Sequence, residues 1–403
     1  MKDGVIALGG LMVLSLSACE ADSRLAGPSV TDSLGVTIVD HGDLDVAVIP
    51  TWSLGTDPIL SIGVVEGDDS YQFYNVIDAH RRRDGSIAVL DRSLTLRVFD
   101  SLGAHMWTAG MAGDGPGEFR YPQMVTEIEG DSLVVWDLRP SRLSVFAPDG
   151  TLARVKTVSE LAGSTRYLGK AGPDRLIIDH RTTERGAVNG HAALTHYSDP
   201  VLLDVRGDGL RRLGRRLLVR EFQELDGRGA VGPAIFDVPA VFTAAPGGVW
   251  YGDTKDYELH LSTTAGLEIV LRWGGADRTI AGADVDALIR LWFGGPDATS
   301  ESPESPELMR YYAQTHPRAE QFPAYEELRT DVLGRLWVRD FVREHEDDGL
   351  RYWTVFSSDG TEVLGRLSHS DAFRPLQIGS DWIVGVQRDD LDVEQIVLRA
   401  IAR

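Results

Sequence analysis

Cysteine is nearly missing from this sequence of 403 residues, since Cys19 is the only one. One thiol cannot form an internal disulfide, so no disulfide framework holds the fold together. Long apolar runs are missing as well. The run from Val5 to Leu16 has twelve residues, too few to cross a bilayer as a helix, and no other run is long enough. The apolar residues therefore have to be buried in many short elements.

Basic residues are also in deficit. The chain has 40 Lys and Arg against 61 Asp and Glu, a formal net charge of −21. This balance argues against nucleic acid, whose affinity rests on neutralising phosphates, and against anionic membrane surfaces. The local exceptions are Arg81-Arg-Arg83 and the arginines between Arg211 and Arg220. We interpret both as solvated strand faces and turns rather than anion sites.

Strong catalytic signatures are absent too. The sequence has no HExxH, GxSxG, Walker loop, EF-hand spacing or paired CxxC. Gly113-Asp-Gly-Pro-Gly-Glu118 is glycine-rich, but it lacks the Lys-Ser/Thr ending and the following helix of a phosphate-binding loop. We interpret it as a turn.

Turn-forming residues and short β-rich runs are abundant, with 43 Gly and 18 Pro in the chain. The clearest example opens with Gly113-Asp-Gly-Pro-Gly117, which predicts a sharp connection. Two strands follow, Asp131-Ser-Leu-Val-Val-Trp136 and Arg142-Leu-Ser-Val-Phe146, and then a turn at Pro148-Asp-Gly150. Two such strands are only marginally stable on their own, so the pattern predicts further strand pairs of the same kind that pack beside them.

Those neighbours recur along the chain. Similar strands that end in Asp are Ile87-Ala-Val-Leu-Asp91, Leu176-Ile-Ile-Asp179, Val249-Trp-Tyr-Gly-Asp253 and Arg335-Leu-Trp-Val-Arg-Asp340. Asp91 lies 46 residues before Asp137, which lies 42 residues before Asp179. This spacing is typical of four-stranded blades. We interpret the longer intervals on either side of Asp253 as insertions rather than missed blades.

The ring of blades needs a closing strand. A sixth unit, built from Trp382–Val386 and Ile396–Ile401, ends the chain before an outer strand can form. We expect Gly35-Val-Thr-Ile-Val39 to supply that strand, because closure removes exposed sheet edges.

These residues carry a family resemblance. The residues that resemble the NHL repeat are Gly115-Pro-Gly-Glu-Phe119, Pro122, Asp137, Arg142, Val145-Phe146 and Gly150. Ser141 stands where NHL repeats usually carry Asn. The match is specific over roughly 87–155 and loose over the rest of 36–403, where the chain resembles the bacterial exported six-bladed propellers. The resemblance implies an all-β, six-bladed β-propeller with four-stranded antiparallel blades.

The N-terminus predicts export. Met1-Lys2 and the apolar run that follows are typical of a secretory signal peptide over residues 1–18. Leu16-Ser-Ala-Cys19 resembles the lipobox of bacterial lipoproteins, which implies lipid attachment at Cys19. We expect a lipidated tether over 19–33, a propeller over 34–403, and a protein anchored outside the cytoplasm in a bacterial membrane, in the periplasm or at the cell surface. An ordinary signal peptide with an incidental cysteine is the alternative.

Two segments interrupt the blade rhythm. Residues 181–240 contain polar excursions, and about 279–330 predicts a helical insertion before the fifth recognisable Asp-bearing blade. One apolar helical face is formed in the insertion by Val285, Leu288, Ile289 and Trp292. Ser305-Pro306 predicts the start of a second helix, Glu307 to about Gln314. A flap over one propeller face and a packing role both remain open for this insertion.

The repeated aspartates (Asp91, Asp137, Asp179, Asp253 and Asp340) allow two interpretations. A ring of carboxylates would bind a hard cation such as Ca²⁺. We favour turn aspartates that accept backbone N–H bonds, because they recur in every blade. We therefore expect no cofactor, with Ca²⁺ as the one candidate.

Six residues are candidates for a channel or a binding face. Four of them lie in or beside the blade that carries the NHL-like residues, which we call the signature blade: Arg120, Tyr121, Arg139 and Arg142. There they would line a channel mouth or form hydrogen bonds between blades. His180 and Arg181 belong to a polar cluster with His191 and His196, whose histidines we interpret as surface residues rather than ligands.

The sequence supports two functional hypotheses. The first is a monomeric binding module for a protein, peptide or glycan. It would be attached to the membrane through its N-terminal lipid only and would not bind nucleic acid. The second is a metal-dependent propeller hydrolase of the lactonase or esterase type, or a lyase, and it rests on fold analogy. A buried Ca²⁺ in the channel with three or more convergent carboxylate or Asn ligands would favour the enzyme. A dry or arginine-lined channel with a wide apolar rim would favour binding, which is the function we expect.

Overall fold

Short strands separated by tight turns account for most of the chain in this computed structural model. The structure describes residues 27–188, 191–222, 232–285, 287, 317–343, 346–389 and 392–403. The predicted signal peptide, Cys19, and most of the predicted helical insertion, including Leu288, Ile289, Trp292 and the second helix, lie outside the described residues. In the part that is described, no helix is long and apolar enough to cross a membrane.

The described chain begins with an N-terminal segment of four strands. They are β1 (Ser29–Ser33), β2 (Val36–Asp43), β3 (Thr51–Leu54) and β4 (Leu60–Ile62). Strand β1 lies within the segment that was expected as a tether. A short 3₁₀ turn, Asp69–Tyr71, leads from this segment into the rest of the fold.

The remaining strands form consecutive antiparallel units, which we number 1 to 6. Unit 1 contains β5 (Val76–Arg81), β6 (Ile87–Asp91), β7 (Leu96–Phe99) and β8 (His105–Ala109). Unit 2 contains β9 (Pro122–Glu127), β10 (Leu133–Asp137), β11 (Arg142–Phe146) and β12 (Leu152–Thr157), and a 3₁₀ turn, Ser159–Leu161, follows it. Unit 3 contains β13 (Ser164–Gly172), β14 (Arg175–Val188), β15 (His191–Asp204), β16 (Leu210–Arg212), β17 (Arg216–Phe222) and β18 (Gly232–Pro233).

The second half of the chain repeats this arrangement. Unit 4 contains β19 (Val241–Ala245), β20 (Gly248–Gly252), β21 (Glu258–Thr263) and β22 (Gly266–Gly274). Unit 5 contains β23 (Tyr325–Thr330), β24 (Leu336–Asp340), β25 (Leu350–Phe356) and β26 (Val363–Ser370). Unit 6 contains β27 (Phe373–Ile378), β28 (Trp382–Arg388) and β29 (Glu394–Ala402). The expected all-β fold of small antiparallel sheets is confirmed.

The burial of each strand explains its sequence. Every residue of β6, β7, β10 and β11 is buried, because these strands lie in the middle of their units and pack against neighbours on both faces. They therefore read as apolar runs rather than alternating ones. The outer strand β8 alternates between half-buried and exposed residues. The predicted turn at Gly150 has a φ of 85°, a conformation that favours glycine.

Apolar clusters connect the units into a ring. Six clusters lie between units 1 and 2, 2 and 3, 3 and 4, 4 and 5, 5 and 6, and finally 6 and 1. Trp136, Trp250 and Trp337, in the second strands of units 2, 4 and 5, each pack toward the following unit. Each interface is thus a small core of its own, which lets a chain of this length fold without one large core.

The N-terminal segment covers sheet edges, although not as expected. The pairing of Gly35–Val39 with the last unit was wrong, because β2 pairs in parallel with β22 of unit 4. Strand β3 then pairs in parallel with β26 of unit 5, and β4 supplies the outer strand of unit 6 by pairing with β29. Strand β3 also touches β29, which joins units 5 and 6 into one hydrogen-bonded sheet. One segment therefore covers three edges that would otherwise be open to pairing with other chains.

Two predicted interruptions look different in the structure. The 181–240 interval contains the second half of the long strand β14 and all of β15 to β18, which belong to unit 3, so the lengthening is an insertion within that unit. The boundary of the helical insertion at 330 was wrong, because Tyr325–Thr330 is strand β23. Residues 282–285 are helical, in agreement with the predicted start of the insertion.

Candidate functional site

The first strands of all six units surround a central cavity of about 890 Å³. This volume is within the range of small-molecule sites in proteins. We call the end where the first strands begin the upper end and the end where they finish the lower end. At the upper end the cavity adjoins two others. Upper cavity A, about 840 Å³, lies among units 6, 1 and 2, and upper cavity B, about 460 Å³, lies among units 3, 4 and 5.

A repeated irregularity shapes the cavity wall. In units 1, 2, 3, 5 and 6 the first strand carries an extra residue relative to its partner strand, at Ile77, Gln123, Leu168, Glu326 and Leu376. Such bulges re-aim side chains and are frequent beside functional sites. Four of these residues line the central cavity, and Glu326 lines upper cavity B. The wall therefore combines apolar side chains with polar groups.

The charge of the cavity is opposite to that of the protein. Its basic lining residues are Arg81, Arg82, Arg83, Arg166, Lys170, Arg329 and Arg374, and its acidic ones are Asp78, Glu127, Glu327 and Asp331. Seven basic groups against four acidic ones make the lining net positive in a chain whose net charge is −21. Of Arg81–Arg83, which we expected on solvated faces and turns, Arg83 is exposed as expected but Arg82 is buried, and all three border the cavity.

Asp78 lies where several units meet. Its carboxylate accepts hydrogen bonds from the backbone amides of Ala79, at 3.0 Å, and Val125 of unit 2, at 2.9 Å. Burial raises the pKa of Asp78 to about 7, against the opposing effect of these amides and of Arg329 and Arg374. Near neutral pH this carboxyl group is therefore only partly ionised, and it neutralises the two arginines incompletely.

Arg329 is held in a charged network at the wall of unit 5. Its Nε lies 2.7 Å from Glu327 Oε1, and its Nη1 donates to the carbonyl of Leu376 in unit 6 at 3.3 Å. Arg339 contacts the other oxygen of Glu327 at 2.9 Å. Two arginines thus share one carboxylate, and they lower the pKa of Glu327 even though burial opposes this.

Two further arginines mark the junctions with the upper cavities. Arg374 lines both the central cavity and upper cavity A, and its Nη2 donates to the carbonyl of Val76 at 2.7 Å. Arg166 lines both the central cavity and upper cavity B. Within the described part of the chain, the Arg166 guanidinium has no hydrogen-bond acceptor. An arginine therefore lies at the boundary between the central cavity and each of the two upper cavities.

The lower end is also basic. Glu127 lies 3.2 Å from Arg83 and 3.6 Å from Arg82, and Lys170 donates to the backbone carbonyl of Glu127. Burial, followed by repulsion from Lys170 and Arg82, lowers the pKa of His80 to about 3. His80 is accordingly neutral at physiological pH, and the fixed charges at this end come from Lys and Arg.

The residues predicted beside the signature blade lie away from the central cavity. Arg120 pairs with Asp114, and the guanidinium of Arg139 lies 5.0 Å from the centroid of the Tyr121 ring, on the surface. Arg142 is buried and donates to the backbone carbonyls of Asp114 and Glu118. Arg142 therefore does not line a channel mouth. Its hydrogen bonds hold the loop that leads into unit 2.

The other predicted candidates lie in unit 3. Arg181 lines upper cavity B beside Arg166, and its Nε donates to Asp179 Oδ2 at 2.8 Å. His180 does not line a described cavity wall, and its Nδ1 is buried without a hydrogen-bond partner. His196 also lines upper cavity B and lies 3.1 Å from Glu221. The structure therefore brings Arg181 and His196 to one cavity and leaves His180 apart.

Three of the five repeated aspartates accept backbone amides in turns, as expected, and the other two do not. Asp137 accepts from the amides of Arg120, Tyr121 and Arg139 at 2.9, 2.8 and 3.2 Å. Asp91 and Asp253 likewise accept backbone amides, whereas Asp179 and Asp340 pair with side chains. Among the residues that the structure describes, no group of three or more His, Cys, Asp or Glu side chains is placed to hold a metal ion.

Comparison with known proteins identifies no family. No family model matches the chain, and no curated protein matches it. Solved structures do match. A candidate exported protein from Bacteroides fragilis has 12% identity and a TM-score of 0.48, and the match covers 91% of this chain and 99% of that one. A member of the DUF4221 family from Bacteroides vulgatus has 10% identity and a TM-score of 0.48, with 87% and 98% covered. An inactive virginiamycin B lyase from Staphylococcus aureus, solved with quinupristin, has 8% identity and a TM-score of 0.37, with 87% and 99% covered.

Proposed function

We propose that this protein is a six-bladed β-propeller with NHL-like blades that is exported, lipid-anchored through Cys19, and acts as a binding module for a protein, peptide or glycan. Units 1 to 6 are the blades, and the central cavity takes up part of the ligand. The location rests on the signal peptide and lipobox pattern of residues 1–19. The binding function rests on the cavity.

One observation carries the binding function. The cavity that all six first strands surround is lined by arginines, with apolar side chains such as Ile77 and Leu168 between them. A channel built only to close the ring would be filled with apolar side chains, because unpaired buried charge is costly. Retaining charged groups around open space favours a site at which a ligand completes their interactions.

A ligand panel with a blocked variant tests this function. Wild type is screened by thermal shift against glucose and glucuronate, and against one short peptide with a free and with an amidated C-terminus. The same panel is applied to Gln123→Trp, which fills the junction between the central cavity and upper cavity A, and to Glu160→Trp, which adds the same bulk on the outside. We expect at least one compound to stabilise wild type and Glu160→Trp but not Gln123→Trp. Absence of any stabilisation, or equal stabilisation of all three proteins, would contradict the proposal.

A further inference from the structure

Three arginines from three different units line the central cavity, and they differ in how many of their N–H groups have a hydrogen-bond acceptor in the protein. Arg329 of unit 5 shares Glu327 with Arg339, and Arg374 of unit 6 donates to one backbone carbonyl. Arg166 of unit 3 has no acceptor in the described part of the chain. These guanidiniums therefore offer free N–H groups to the cavity, and a planar guanidinium matches the geometry of carboxylate and phosphate oxygens.

The neighbours of Arg166 do not satisfy its charge. Arg166 is surrounded by the walls of units 3, 4 and 5, yet part of its side chain reaches open space, because it borders the central cavity and upper cavity B. The pKa of Arg166 is lowered, by burial first and then by repulsion from Arg181, while Glu327 and Asp179 act in the opposite direction. Burial and repulsion from Arg329 also lower the pKa of Arg374, against the effect of Glu394 and Asp78. An anion in the cavity would attract both guanidinium groups and so offset their repulsion by neighbouring arginines.

The positions of the arginines limit the size of the anion. In a closed ring of six units, unit 3 lies opposite unit 6, so Arg166 and Arg374 approach the cavity from opposing sides. The space of about 890 Å³ between them suits a small organic molecule rather than a folded partner. Apolar contacts are available from Ile77, Leu168 and Leu376, which a bare inorganic ion would leave unused.

From these observations we infer that the central cavity binds a small organic molecule bearing a carboxylate, such as an organic acid or an acidic sugar, with Arg166, Arg329 and Arg374 as its ligands. This inference rests on the proposed binding function and names the chemical class of what the central cavity itself takes up, whether a free molecule or the acidic part of a larger ligand. Arg166 and Arg374 lie at the boundaries with the two upper cavities, so an anion that enters from the upper end passes close to them. Electrostatic attraction at these points distinguishes the cavity from the acidic outer surface.

Isothermal titration calorimetry tests the inference with matched pairs of ligands. Glutarate is compared with its neutral diamide, and glucuronate with glucose, while inorganic phosphate tests for binding of any oxyanion. We expect one of the carboxylates to bind, its neutral counterpart to bind at least tenfold more weakly, and phosphate to bind more weakly than the carboxylate. Tighter binding of phosphate would overturn the assignment to organic acids.

Charge-matched variants locate the site. Arg166→Gln removes a guanidinium that has no acceptor, so the fold should be preserved, and Arg374→Gln provides a second variant. Arg272→Gln makes the same charge change on β22 at the outside of unit 4. We expect the first two to weaken carboxylate binding at least tenfold and Arg272→Gln to change it less than twofold. Equal affinities in all variants would overturn the inference. If glucose binds as well as glucuronate and Gln123→Trp blocks both, the inference fails while the proposed function stands.

Discussion

The carboxylate of Asp78 in unit 1 accepts a hydrogen bond from the backbone amide of Val125 in unit 2, with 2.9 Å between Oδ2 and N. This contact bridges the first strands of two neighbouring units at the wall of the central cavity. Tyr167 of unit 3, Arg329 of unit 5 and Arg374 of unit 6 interact electrostatically with the same carboxyl group. Asp78 thus interacts with groups from units 2, 3, 5 and 6, and its titration reports on the cavity.

The first prediction concerns stability and pH. Burial raises the pKa of Asp78 to about 7 in the folded protein, above its ordinary value of 3.8. The folded state therefore keeps a proton that the unfolded state loses, and the contribution of Asp78 to stability falls as pH rises from about 4 to about 7. Asp78→Asn should lack this fall. The melting temperature of the variant minus that of wild type should therefore be larger at about pH 8 than at about pH 4.

The control for this measurement is Asp208→Asn, which changes an exposed aspartate on the outside of unit 3. Its melting temperature should follow that of wild type across the same range. If Asp78→Asn also follows wild type, then the raised pKa of Asp78 is wrong.

The second prediction concerns the turn aspartates. Asp137 is fully buried and accepts three backbone amides, so Asp137→Ala leaves these donors without an acceptor. We expect the free energy of unfolding to fall by about 3 kcal/mol or more, as measured in urea. Asp149→Ala removes an exposed turn aspartate and should cost less than about 1 kcal/mol. Similar losses in the two variants would show that the recurring aspartates do not stabilise their blades through buried turns.

The third prediction concerns ring closure. Ile62 of β4 is 2% exposed and packs in the cluster between units 6 and 1, whereas Ile59, three residues earlier, is 62% exposed. Ile62→Ala should lower the free energy of unfolding by about 3 kcal/mol, because it leaves a cavity in a packed interface. Ile59→Ala should change it by less than about 0.5 kcal/mol. An equally small effect at Ile62 would mean that the N-terminal segment does not complete unit 6.

The fourth prediction concerns anchoring, and it comes from the sequence alone. Replacement of Cys19 by alanine removes the only thiol and hence the predicted site of lipid attachment. Fractionation of cells should find the wild-type protein with membranes and Cys19→Ala in the soluble exported fraction. Retention of Cys19→Ala on membranes would show that another part of the protein holds it there.

The middle strands of the blades could be predicted from the sequence because burial on both faces leaves a strong apolar pattern. The predicted runs Ile87–Asp91 and Arg142–Phe146 coincide with β6 and β11. The first strands could not be recognised in the same way. In Tyr325-Glu-Glu-Leu-Arg-Thr330 three of the six residues are charged, since this strand borders the cavity, and it was assigned to an insertion.

The candidate site could not be predicted either, because its residues come from different first strands. Asp78, Arg166, Arg329 and Arg374 are far apart in the sequence, and no spacing between them signals a common location. Only the ring brings them together. A usable signal did exist: in this ring of units, the cavity-lining residues lie in the segment just before each apolar middle strand. The closing strand was also misplaced, because both β2 and β4 are short β-rich segments and the sequence does not show which edge each one covers.

The most direct measurement of ligand binding in the cavity is protection of an engineered cysteine from alkylation. In a Cys19→Ala background, Gln123→Cys places one thiol at the junction of the central cavity and upper cavity A, and Ala153→Cys places one on the outer strand of the same unit. The rate of labelling by iodoacetamide is measured with and without saturating glucuronate or glutarate. We predict that the bound carboxylate slows labelling of Gln123→Cys at least fivefold and leaves Ala153→Cys unchanged. Equal rates with and without ligand at Gln123→Cys would contradict the cavity as the binding site.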